Sequence, residues 1–289
     1  MPTRPPREKR AARGPRRRTP APDRLLLYSP AVQHVEHDLD VLERIYRNLN
    51  GRAPVLLRED FCGTAALACE WVKRGSRRRA WGVDLHRGTL AWARRRRLPS
   101  LGAAAERLTL LHADARRVTR PPVDLVIALN YSYWVFHRRT ELRAYFRAAR
   151  ASLARGGLLC LDAFGGTSAM QELVERRHVP ASRGPGGERV PAFRYVWEQT
   201  AFNPVDHGLR CRIHFRLRDG RELRRAFSYD WRMWTLPEIR ELLAEAGFRD
   251  SFVYVQDWDD EAHEALGSYS RRRRFENMLT WLAYVVGVR

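Results

Sequence analysis

From Pro54 to Val72 the chain reads PVLLREDFCGTAALACEWV. An apolar run (Val55, Leu56, Leu57) gives way to Glu59 and Asp60, the chain turns at Cys62-Gly63-Thr64, and an Ala-rich segment continues to Trp71 and Val72. That order predicts a buried strand, a tight loop and a helix. Such a unit leaves the loop N–H groups and the helix N-terminus facing a crevice at the strand's carboxyl end, where open α/β sheets bind ligands. A dinucleotide fingerprint would place three glycines there. Only Gly63 is present; Phe61 and Ala65 hold the other two positions, and a bulky ring stands where a pyrophosphate would need room.

Further strand–helix units follow. Ala80 to Val83 is a short apolar strand closed by Asp84, which falls 21 positions after Gly63. An acid so placed at a second strand tip accepts hydrogen bonds from both ribose hydroxyls of an adenosine, or else caps the next helix. The third strand, LTLLHAD, again ends in an acid, Asp114. Val123 to Leu129 is a fourth strand, with Asn130, Tyr131, Ser132, Tyr133 and Trp134 at its end. Leu142, Tyr145, Phe146, Ala149 and Leu153 trace one helical face, and LLCLDAFGG is a fifth strand with Asp162 near its tip. Five strands alternating with helices predict a doubly wound parallel α/β sheet.

Glu59, Cys62, Gly63 and Thr64 match motif I of the class I S-adenosylmethionine-dependent methyltransferases, an acid, two variable positions and then C-G-T-G, and the string REDFCGT resembles a bacterial branch of that superfamily. The resemblance covers about residues 54–166 and 235–287. It implies a Rossmann-like, seven-stranded methyltransferase sheet and S-adenosyl-L-methionine as cofactor. It also implies loop contacts at Glu59, Phe61, Gly63 and Thr64, a ribose on Asp84 with Leu85 against the adenine, and the adenine edge at Asp114 and Ala115. In similar enzymes an N-terminal segment closes over the cofactor, which makes Tyr28 and Gln33 candidates for the same pocket. Asn130 and Tyr133 match the first and fourth positions of the [DN]-P-P-[YFW] motif of amino-directed methyltransferases, while Tyr131 and Ser132 replace its prolines. Nitrogen is then the expected target, with Asn130 and Tyr133 as catalytic candidates.

The flanks are different in character. Residues 1–23 are Arg, Pro and Ala with hardly an apolar side chain, which predicts a disordered basic tail. Residues 24–53 read as an N-terminal cap helix. Residues 54–183 and 235–289 form the cofactor-binding domain, and residues 184–234 a three-stranded antiparallel β insert. LRCRIHFRLR alternates without exception, and Asp219-Gly220 marks a hairpin turn. We expect the insert to cover the acceptor, with Tyr229 as a third catalytic candidate, Trp231 and Trp234 beside it, and Glu198 and His214 as polar candidates. Thr235 and Glu238 predict a capping box for the next helix.

The formal charge of +20 points to a nucleic-acid partner through an arginine-rich surface. Yet lysine occurs only at positions 9 and 73, an imbalance that GC-rich codons would also produce. Cys62, Cys69, Cys160 and Cys211 lack paired metal spacing and read as reduced, buried thiols, so no metal is expected. With neither a membrane-length apolar run nor a signal-peptide core, the reading is cytoplasmic. The expected activity is methyl transfer to a small-molecule acceptor. The alternatives are a nucleic-acid or protein amide N-methyltransferase and a non-catalytic cofactor-binding module; a dimer is possible.

Overall fold

The computed structural model describes residues 23–259 and 264–289. Apart from Asp23, the basic tail therefore lies outside the described residues. The expected single cap helix is two, α1 (Arg24–Val32) and α2 (Val35–Asn50). Asp23 caps α1 by accepting from Leu25 N, and its other oxygen accepts from Trp92 Nε1 at 2.6 Å. Gly51, at φ 68°, ends α2 in the left-handed conformation that glycine adopts freely.

The chain then alternates β1 (Leu56–Asp60), α3 (Ala66–Lys73), β2 (Arg79–Asp84), α4 (Arg87–Arg96), β3 (Leu108–His112), β4 (Val123–Ala128), α5 (Arg139–Ser152) and β5 (Leu153–Gly165). After β5 come β6 (Leu173–Val179), the short ribbon β7 (Ser182–Arg183) and β8 (Arg189–Val190), then β9 (Phe193–Asn203), β10 (Gly208–Leu217) and β11 (Glu222–Arg232). The chain closes with α6 (Leu236–Glu245), β12 (Asp250–Asp259), β13 (Glu264–Arg272) and β14 (Trp281–Val288). Thr235 and Glu238 form the expected capping box at α6.

The main sheet runs β13-β12-β14-β5-β4-β1-β2-β3. β1 to β5 pair in parallel, whereas β14, β12 and β13 are antiparallel. Strand order reverses between β1 and β4, so the crevice for a ligand opens at their carboxyl ends. The central strands are buried on both faces. Val126, Ala128, Leu159 and Leu161 face α5 and α6, while Leu57, Leu125, Ile127 and Cys160 face α2 and α3. The four cysteines are free and buried.

Two features depart from the expected pattern. The sheet has an eighth strand, β13, and the insert is a four-stranded sheet, β11-β10-β9-β6, that begins at Leu173 rather than near residue 184. β6 reads LVERRHV: its apolar residues lie at the ends and charges fill the exposed middle, so no alternation marks it. α1 packs on the insert through Leu27, Ala31 and Tyr28. No helix among the described residues is long and apolar enough to cross a membrane.

Candidate active site

Alternation along β1 sends its charged side chains to opposite faces. Glu59 turns toward α3 and accepts from Ala68 N at 2.8 Å. Arg58 and Asp60 turn the other way, into the core. Arg58 is 0 % exposed, yet every arm of its guanidinium is engaged. Nε pairs with Asp60 at 2.7 Å, Nη2 donates to the Ala115 carbonyl at 2.5 Å, and Nη1 donates to the Arg117 carbonyl at 2.8 Å and to Ser152 Oγ at 2.9 Å. Tyr145 donates to the second oxygen of Asp60 at 3.0 Å. A buried ion pair is tolerated when such bonds satisfy both partners. The physical result is that the turn after β3, which carries Asp114 and Ala115, is tied to the end of β1.

The loop after β1 alternates through the left-handed region, with Phe61 at φ 54°, Gly63 at 52° and Ala65 at 55°. For the two non-glycines this conformation costs roughly 1–2 kcal/mol each, which explains why glycine suits all three positions. The Phe61 ring packs edge-on against Phe136 and Tyr145. Gly63 N donates to Asp84 Oδ2 at 2.7 Å, and His86 N donates to Oδ1 at 2.6 Å. Asp84 thus braces the loop and still has acceptor capacity on each oxygen. It is not the α4 cap; His86 Nδ1 fills that role by accepting from Thr89 N. Next to Asp84, Leu85 is 64 % exposed. One strand over, Asp114 is held by Arg116 through Nε at 2.9 Å and Nη2 at 2.6 Å, contacts that lower its pKa.

At the tip of β4, Asn130 and Tyr131 are both left-handed, at φ 57° and 55°. Their N–H groups grip the Asp162 carboxylate at 2.6 and 2.9 Å. Burial pushes Asp162 up to about 7, against the pull of these two bonds. Asn130, Leu129 and Asp38 border two adjoining spaces. One is a slot of about 20 Å³ bounded by Glu59, Asp60 and Phe61 on the β1 side and by Gln33 and Val35 on the other. The second is a cleft of about 350 Å³ between α2, the ends of β4 and β5, and β12 to β14.

Several expected residues lie elsewhere. Tyr133 is wholly buried, with its hydroxyl donated to the Asp162 carbonyl, so it is a core residue and not a catalytic one. Thr64 is 6 % exposed, its hydroxyl accepts from Arg97 Nη2, and it borders neither space. Tyr28 packs on Phe227 and shares a hydrogen bond with Tyr229, whose ring stacks on Trp231 at 4.3 Å; none of the three borders the slot or the cleft. Trp231 in turn meets Tyr131, and Trp234 Nε1 donates to the Phe136 carbonyl. His214 and Glu198 pair with each other on the insert. The insert therefore joins the β4 tip through a layer of rings, and the cleft is bordered by α2 and strands β12 and β13 instead. Ala115 is buried, with its carbonyl given to Arg58.

Sequence reading missed Asp38, Tyr269 and Tyr284. Tyr284 donates to Asp38 Oδ1 at 2.6 Å across 246 positions of chain, and its ring lies 4.7 Å from that of Tyr269. No local spacing carries such a contact.

Burial raises Glu59 from 4.5 to about 8, with the Ala68 N–H bond opposing. Because the folded value is the higher one, the folded chain holds a proton that the unfolded chain gives up. Stability from this group is therefore full below about 4.5 and falls as pH rises toward about 8. The wild-type melting temperature is expected to drop more between about pH 5 and about pH 8 than that of Glu59→Gln, whose amide oxygen can still accept from Ala68. Equal drops in thermal melts would refute this account of Glu59.

Residues 61–157 match the family model described as a methyltransferase domain. Together with the sheet order and the loop, this defines the class: the chain carries a methyltransferase domain and is an S-adenosylmethionine-dependent methyltransferase, with S-adenosyl-L-methionine as cofactor. It is similar to the malonyl-[acyl-carrier protein] O-methyltransferase of Geobacter sulfurreducens, 29 % identical over 233 residues that cover 80 % of this chain and 70 % of that protein. Its fold is similar to that of DesVI from Streptomyces venezuelae, with TM-score 0.64, 17 % identity, and 91 % and 95 % of the two chains covered. It is also similar to an amino pentose methyltransferase of Micromonospora echinaspora involved in calicheamicin biosynthesis, with TM-score 0.62, 19 % identity, and 89 % and 94 % covered.

Proposed function

We propose that this enzyme transfers a methyl group to nitrogen of a small-molecule acceptor held in the cleft beside Asn130 and Asp38. The observation that carries this reading is the lining of that cleft. The chain has 53 Lys and Arg residues, but among the described residues none borders the cleft, while Asp38 and Asp162 both do. Such a lining disfavours an anionic acceptor and suits an amine.

The chain's residues fit the cofactor. An exposed apolar side chain, Leu85, stands beside a carboxylate with acceptor capacity left, Asp84, at the tip of β2. In this reading Asp84 holds the ribose hydroxyls, Leu85 lies against the adenine, and Asp114 receives its amino group once Arg116 shares that carboxylate. Glu59, Phe61, Gly63 and Asn130 surround the methionyl part. The slot of about 20 Å³ holds little more than one water, so the Gln33–Val35 corner must yield to admit it. When bound, the cofactor supplies an already activated methyl group. The protein's task is to align the acceptor nitrogen and exclude water, and alignment supplies ~7 kcal/mol or more.

The test is transfer of labelled methyl from S-adenosylmethionine into a cell extract that is then split into metabolite, RNA and protein fractions. Label is expected in the metabolite fraction, in a form that survives alkali. Label in RNA or protein, or an alkali-labile methyl ester, would overturn the reading.

A further inference from the structure

Among the described residues, one carboxylate oxygen at the cleft has no protein partner, and its position is specific. Tyr284 donates to Asp38 Oδ1 at 2.6 Å and so fixes the carboxylate, while Oδ2 has no hydrogen-bond partner among the described residues. Asp162, the other carboxylate of the cleft, has each oxygen engaged by a backbone N–H. Asp38 also borders both the slot and the cleft, so it stands where methyl donor and acceptor must meet. Around it, Tyr269 and Tyr284 present rings 4.7 Å apart, and the His37 ring lies 6.1 Å from that of Tyr269. A carboxylate among aromatic rings is a cation site, since the ring quadrupoles add to the ionic attraction.

We propose that Asp38 is a catalytic residue of this enzyme: Oδ2 binds a primary or secondary amine acceptor in its ammonium form and takes the proton that must leave before the nitrogen can be methylated. The proposal rests on the N-methyl reading. The ammonium gives one proton to the Asp38 carboxylate, which frees the nitrogen lone pair. Nitrogen then forms a bond to the methyl carbon as the carbon–sulfur bond breaks and its electron pair stays on sulfur, leaving an N-methylammonium and a thioether. Tyr284 is a positioning residue, because it holds Oδ1 and leaves Oδ2 without a partner among the described residues.

Burial raises the Asp38 carboxyl above its ordinary value, against the Tyr284 hydrogen bond and the charges of His34 and His37. A raised value suits a group that must accept a proton and release it again. The titratable groups facing Asp38 are His34 at the N-cap of its helix, His37 on that helix, Tyr131 after β4, Asp162 from β5, Tyr269 from β13, Tyr284 from β14, and Glu59 and Asp60 across the slot. The acid limb of kcat/KM is expected to include Asp38 and to shift in Asp38→Asn.

The binding test needs neither the cofactor nor the natural acceptor. Cyclohexylamine and cyclohexanol, which match in shape and differ in charge, are titrated into the intact protein and followed by NMR. The wild type is expected to bind the amine about tenfold or more tightly than the alcohol, and Asp38→Asn to lose that preference while its affinity for the alcohol holds. Equal affinity of the wild type for both probes, or an unchanged preference in Asp38→Asn, would overturn the proposal. The first result decides even if the variant does not fold. Label on oxygen together with Asp38-dependent amine binding would overturn the N-methyl reading. Label on nitrogen with no such dependence would overturn only the role of Asp38.

Discussion

Arg58→Met is expected to destabilise the fold by about 3–5 kcal/mol, the cost of removing one partner from a buried ion pair. In a domain of this size that lowers the melting temperature by ~5–15 °C. The reason lies in what the guanidinium holds. Its loss leaves the Asp60 carboxylate in the core with only Tyr145 as a donor among the described residues and deprives the Ala115 and Arg117 carbonyls of the Arg58 bonds. Asp60 already lies above its usual pKa through burial, with Arg58 opposing. Without Arg58 it rises further, so the penalty grows as pH increases. Adding Asp60→Asn should recover part of the loss, because the uncompensated charge then disappears. A thermal melt of Arg58→Met within a degree or two of wild type would contradict this account of the β1 core.

Asp84→Ala is expected to weaken S-adenosylmethionine binding by ~1.5–3 kcal/mol, the scale for losing hydrogen bonds to a charged group. That is roughly a 10- to 100-fold rise in Kd. In the proposed binding mode two losses combine, since Asp84 would hold the ribose and also holds Gly63 N in the loop. Asp84→Asn keeps one acceptor oxygen and should fall between the two. Calorimetry that finds the same affinity in Asp84→Ala as in wild type would remove the ribose from β2.

The parallel half of the sheet was legible because each strand is a short apolar run ending in Asp, Asn or a Gly turn. The loop conformation was legible for a related reason. Phe61 and Ala65 stand where a dinucleotide fingerprint has glycine, and both adopt the positive φ that glycine would adopt freely. The cleft beside Asn130 was not legible. Its carboxylate comes from α2 and its braces from β13 and β14, more than two hundred positions away, and β13 carries no period that marks a strand. Tyr133 and Tyr229 attracted attention as aromatics near a strand tip and beside a hairpin. An aromatic side chain at such a place also closes a core, and packing decided both: one is sealed beneath Asp162 and the other is stacked on Trp231. Arg58 shows the converse. A charge inside an apolar strand gives no hint of partners 57 and 59 positions ahead, although those partners are what make its burial tolerable.

The most direct test is a crystal structure of the intact chain with S-adenosylhomocysteine. The expected result has the ribose hydroxyls on Asp84, the adenine over Leu85, and the sulfur facing the junction of slot and cleft at Asn130 and Asp38. A ribose bound away from Asp84, or a sulfur turned from the cleft toward the insert, would contradict the account.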